Sequence, residues 1–65
     1  MKLFDLISVL AADETIIIRK ADDMIMFCGK IWNVYAELDE DFLRATRVDR
    51  VFSGFGGLVI ETSAE

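Results

Sequence analysis

The 65-residue chain has no histidine, no proline and one cysteine, and its 7 basic residues are outnumbered by 12 acidic ones. Without histidine the commonest proton shuttle near neutral pH is missing, and Ser/His and Cys/His nucleophilic arrangements are excluded with it. A lone cysteine forms no internal disulfide, and a closed structural zinc site would have to be built from carboxylates alone. The net charge of -5 repels phosphate at long range, so direct contact with nucleic acid is not expected. The longest apolar runs, Ile16 to Ile18 and Met24 to Cys28, fall far short of the ~20 residues that cross a bilayer. Lys2 precedes a few apolar positions, but Asp5 interrupts them and Asp13 and Glu14 follow Ala11 and Ala12, so no signal peptide is read. A lone thiol without an export signal places the chain in a reducing cytoplasm.

Apolar residues, by contrast, make up 54% of the chain, and mean hydropathy is positive. That excludes disorder, which needs low hydrophobicity and high charge. Residues 1–65 allow one small domain. At this size, about 25 cal/mol per Å² of apolar burial roughly cancels about 1.5 kcal/mol of lost conformational entropy per residue. With disulfide and metal staples missing, stability must come from dense packing or from self-association.

Leu3, Leu6, Ile7 and Leu10 recur with helical spacing and predict an amphipathic helix over 2–12, with Phe4, Val9 and Ala11 widening its apolar side. The β-branched run from Thr15 to Lys20 predicts a strand. A loop at Ala21, Asp22 and Asp23 leads to a second strand over Met24 to Cys28, closed by Gly29. Neither run alternates, so either both faces of this hairpin are covered or one awaits another chain. Residues 30–38 fit both periods, Ile31, Val34, Tyr35 and Leu38 for a helix and Trp32, Val34 and Ala36 for a strand; an irregular or one-turn helical connection is expected. Asp39, followed by Glu40 and Asp41, starts a short helix ending near Ala45, because acids suit the positive end of a helix. From Thr46 to Ser53 a strand is expected with Val48 and Phe52 on one side and Arg47, Asp49 and Val51 on the other. Gly54 to Gly57 supplies a tight turn, Leu58 to Thr62 the return strand, and Ser63 to Glu65 a frayed end. The resulting fold class is α+β: an N-terminal helix on a roughly four-stranded antiparallel sheet made of two hairpins joined by a short helix.

Chemistry finds few handholds. Cys28 lies in an apolar run and is expected to be a buried, inert thiol, although Lys30 is near. Glu37, Asp39, Glu40 and Asp41 concentrate acids without the alternate spacing and glycine of a calcium loop, so a solvated helix start is expected and no metal or cofactor. Gly54-Phe55-Gly56-Gly57 joins two strands with no Lys-Ser or Lys-Thr after it, which makes it a hairpin turn and not a phosphate loop. Arg44, Arg47 and Arg50 are expected to pair with acids such as Asp41 or Asp49. Apolar surface is what remains. Trp32 and Tyr35 in the connector and Phe55 at a turn tip are candidate interface residues, together with Ile17 and Ile25 of the non-alternating hairpin.

The Lys2-Leu3-Phe4-Asp5-Leu6-Ile7 helix, Asp13-Glu14-Thr15 before an isoleucine strand, Arg47-Val48-Asp49-Arg50-Val51 and the closing Leu58-Val59-Ile60-Glu61 carry a resemblance. In this order of elements the chain resembles small uncharacterised proteins encoded in prophages and mobile elements of anaerobic Gram-positive bacteria. The resemblance implies no catalytic or binding residue. The expected function is non-enzymatic protein–protein contact, through a homodimer or on a host protein. The alternative is an acidic inhibitor that mimics nucleic acid and acts on a host or defence nucleic-acid-binding protein.

Overall fold

The computed structural model describes residues 1–20 and 22–63. Along the chain run α1 (Leu3–Val9), β1 (Thr15–Arg19), β2 (Ile25–Lys30), α2 (Ile31–Glu37), α3 (Glu40–Ala45), β3 (Val48–Gly54) and β4 (Gly57–Thr62). The class is α+β as expected, with a four-stranded sheet in the order β2-β1-β4-β3. Both expected hairpins form, yet the sheet is mixed and not purely antiparallel. Its two central strands, β1 and β4, run parallel, with Ile16 opposite Leu58 and Ile18 opposite Ile60. The reason is spatial. Each hairpin places its most apolar strand, Thr15–Arg19 or Gly57–Thr62, at the centre, and the α2 and α3 crossover between them brings those strands together in the same direction.

All three helices cover one face. Leu3 and Ile7 of α1, Ile31 and Val34 of α2 and Leu43 of α3 pack with Ile16, Ile18, Phe27 and Ile60 of the sheet into one buried cluster. The connector at 30–38 resolves into a true helix. Burial of Ile31 and Val34 gives it an inward side, and its first N–H groups find acceptors in the loop before β1: Ile31 donates to the Glu14 carbonyl at 2.9 Å and Trp32 to the Ala12 carbonyl at 3.0 Å. Two short helices therefore join the hairpins where one was expected. Helix α1 stops at Val9, short of Ala12, because Ala11 and Ala12 are drawn into the turn to β1 as acceptors for Glu14 and Trp32. Val9 stays exposed.

At the front of α3, Asp39 occupies the cap position in extended conformation without a side-chain cap bond. Glu40 pairs instead with Arg44 one turn on, at 2.7 Å. The chain start is tied to the α3–β3 junction: Leu3 donates to the Thr46 carbonyl at 2.8 Å, and Val48 to the Met1 carbonyl at 2.9 Å. These bonds cover the outer edge of β3 at its first residues. Irregular pairing between Val48 and Arg50 then reverses the expected sides of this strand. Val48 packs against the core, whereas Phe52, opposite Val59, lies on the other face. The expected loop at Ala21 and the frayed end at Ala64 and Glu65 fall outside the described residues.

Candidate functional site

Among the described residues the sheet face opposite the helices carries no second layer, and strand pairing dictates what stands on it. Side chains alternate along each strand, so residues opposite one another share a face. Ile17 of β1 lies opposite Cys28 of β2 and Val59 of β4, and Val59 lies opposite Phe52 of β3. These four make an apolar row across the whole sheet. The next row is charged over its inner strands: Ile25, Arg19, Glu61 and Arg50. On the other side of the apolar row stand Lys30 and Thr15, then Gly57 and Gly54 at the β3–β4 turn.

Charge is consumed within that second row. The Arg19 guanidinium donates to the Glu61 carboxylate through Nη2, and Arg50 Nε donates to its other oxygen at 3.0 Å. The two arginine bonds, Arg19 first, hold the Glu61 carboxyl below its ordinary value of 4.5, against a smaller opposing effect of burial. Arg19 also reaches Asp23 at 3.8 Å, while its Nε is buried without a hydrogen-bond partner among the described residues. Both guanidinium groups flank the Phe52 ring, 5.7 Å and 5.0 Å from its centre. The Arg50 partner is thus Glu61, and the Arg44 partner Glu40, in place of the expected Asp41 or Asp49.

Beside this ladder a concavity of about 260 Å³ opens, lined by Ile17, Arg19, Asp23, Ile25, Cys28, Phe55 and Val59. Three of the five expected interface residues, Ile17, Ile25 and Phe55, meet there. Ile17 and Val59 form its buried floor, while Ile25 at 59% exposure and Phe55 at 79% stand at its rim. Trp32 and Tyr35 are not part of it. They lie on the outward side of α2, Trp32 at 63% exposure, with Tyr35 edge-on to Phe4 at 6.4 Å and Phe4 capped by Arg44 at 4.1 Å.

Cys28 corrects the expectation of a buried thiol. It is exposed at the rim, because β2 is an edge strand and no described residue covers its outer face. Val59, Phe52 and Cys28 were not foreseen as members of this surface; the signal that finds them is cross-strand register, which a linear pattern does not carry. Among the described residues no group of three or more acids or cysteines is placed to hold a metal ion, and no helix is long and apolar enough to cross a membrane. Among the described residues the arrangement defines an α+β module with one sheet face layered by helices and the other carrying an apolar row beside a charged one. No family model, curated protein or solved structure matches the chain.

Proposed function

We propose that this chain is a small non-enzymatic interaction protein that associates with itself through the open face of its sheet. The observation that carries the reading is the apolar concavity bounded by Phe55 and Ile25. A contiguous exposed apolar surface on a chain this small loses free energy to water until another surface covers it. The surrounding groups suit adhesion more than chemistry, since the one carboxylate in the charged ladder is already committed to two arginines. A host protein could occupy the same face. The acidic-mimic alternative draws less support: exposed acids are spread over α1 (Asp5), the loops at Asp13 and Asp22, the α2–α3 connection and β3 (Asp49). A cytoplasmic location and a mobile-element origin belong to this proposal, not to the fold.

Sedimentation equilibrium on the purified chain tests it. A reversible dimer at micromolar concentration is expected, and a strict monomer up to hundreds of micromolar would sink it.

A further inference from the structure

We infer that the helix-covered side of the chain is a second docking surface, on which Trp32 and Tyr35 receive the arginines of a basic segment of another protein. The inference is independent of the sheet-face contact proposed above and concerns the other side of the sheet. Burial of Ile31 and Val34 fixes α2 in rotation, so Trp32 and Tyr35, three positions apart, stand together on its outer side. They are 63% and 48% exposed, while the core beneath them is closed by Ile31 and Val34. The aromatic line continues past α2. Tyr35 meets Phe4 of α1 edge-on, the Arg44 guanidinium of α3 stands over the Phe4 ring, and Glu40 holds Arg44. One row of side chains thus crosses all three helices. It already contains an arginine seated on an aromatic ring and paired with a carboxylate, whereas among the described residues no cation stands over Trp32 or Tyr35.

Charge identifies the occupant. Acids occur on every side of the chain, but their compensation does not. Residues 2–14 and 31–45, which hold the three helices, carry seven acids against two bases, a balance of -5. The remaining segments, the strands and hairpin turns, carry five of each, so the whole net charge belongs to the helical segments. Asp5, Glu37, Asp39 and Asp41 are exposed and, among the described residues, form no ion pair; Glu37 accepts from the neutral Asn33 amide at 3.2 Å. Asp5 follows Phe4, and Glu37 lies two residues past Tyr35, so uncompensated carboxylates flank the aromatic row. This field repels phosphate groups and attracts cations. Of the two cationic side chains arginine fits better. Its planar guanidinium stacks on a ring while donating to a carboxylate at its edge, as Arg44 does between Phe4 and Glu40, and an ammonium group does not stack. Trp and Tyr are also the anchors most enriched at binding hot spots, and here a helix packed on the core carries both, which lowers the ordering cost of contact.

The chain has one tryptophan, so Trp32 fluorescence reports directly on this contact. The probe is a hexa-arginine peptide, with hexa-lysine and hexa-glutamate titrated alongside. Expected are a saturable change in Trp32 emission with hexa-arginine, weaker binding of hexa-lysine, none of hexa-glutamate, and an affinity that falls as salt rises. Calorimetric titration extends the test to Trp32→Ala, whose dissociation constant for hexa-arginine should rise at least about fivefold. The double variant Asp5→Asn/Glu37→Gln should weaken binding about threefold or more. Asp22→Asn/Asp49→Asn removes the same charge outside the helical segments and should change it less than about twofold. All the substituted side chains are exposed, and circular dichroism verifies that each variant folds. Absence of hexa-arginine binding overturns the inference, as do undiminished binding by Trp32→Ala, equal affinity for hexa-lysine, and equal losses in the two double variants. A monomeric chain in sedimentation would remove the sheet-face proposal and leave this contact standing, so the two fail separately.

Discussion

Two different constraints act on the three consecutive residues Phe55, Gly56 and Gly57. Gly54 pairs with Gly57, leaving Phe55 and Gly56 as a two-residue loop with φ of 52° and 82°, the type I′ geometry that matches strand twist. At Gly56 the constraint is backbone conformation, since a Cβ there meets nothing within 4 Å. At Gly57 it is space. A Cβ would stand 2.4 Å from the Thr15 carbonyl oxygen and 3.0 Å from its carbon, just where β4 begins its parallel pairing with β1. Backbone cannot step aside as a flexible side chain can. Gly57→Ala is therefore expected to destabilise the chain by about 1–3 kcal/mol, the usual cost of overpacking. Gly54→Ala, with 3.6 Å to Val59 Cγ2, should change stability by less than ~0.5 kcal/mol. Urea denaturation followed by circular dichroism measures both, and equal midpoints for the two variants would refute the close β1–β4 approach. A glycine cluster announces a turn in the sequence. Which of its glycines is needed for φ and which for room is set by Thr15, 42 positions before Gly57, and is invisible there.

Cross-strand pairs join the elements, and the ladder of Arg19, Glu61 and Arg50 links β1, β4 and β3 on the bare face. Because hydrogen bonds from Arg19 and then Arg50 lower the Glu61 pKa below 4.5 in the folded chain, the folded state binds this proton less readily than the unfolded one. The stabilisation is thus fully present above pH 4.5 and is lost as pH falls from there through the lowered folded value. Glu61→Gln removes this titration. Its urea midpoint should lie below wild type near neutral pH and change less on acidification, the two curves converging in acid. Parallel curves over that range would show that the ladder does not hold Glu61 ionised. Elements whose own residues state their period were legible: the Leu3, Leu6, Ile7 helix, the Ile16 to Ile18 strand and the glycine-turned second hairpin all form. Helix α2 was not, because Trp32 and Tyr35 point outward and blur a pattern that only Ile31 and Val34 define. The sides of β3 were misread for another reason: a pairing irregularity between Val48 and Arg50 shifts the face by one residue, which reverses every side chain beyond it. The candidate site suffered most, since its members come from four segments and meet only through register.

For the whole molecule, charge and apolar surface act in opposite directions on association. Each copy carries -5, so bringing two together is opposed at long range, while in the proposed dimer burial of the open face favours contact. Salt acts mainly on the first of these. Raising ionic strength from about 0.01 M to 0.1 M shortens the Debye length from ~30 Å to ~10 Å, which screens repulsion between the bulk charges of the two copies. Ion pairs at the rim of a contact contribute only ~0–1 kcal/mol, so their weakening does not reverse the trend. The proposed dimer is accordingly expected to tighten several-fold over this range and its thermal midpoint to rise with both salt and protein concentration. An acidic surface acting on a basic nucleic-acid-binding partner has the opposite dependence, because that contact is attraction between unlike charges and weakens as salt screens it. Sedimentation equilibrium at the two ionic strengths separates these cases by sign alone: a dimer that loosens as salt rises would place charge, and not the apolar sheet face, at the centre of the contact.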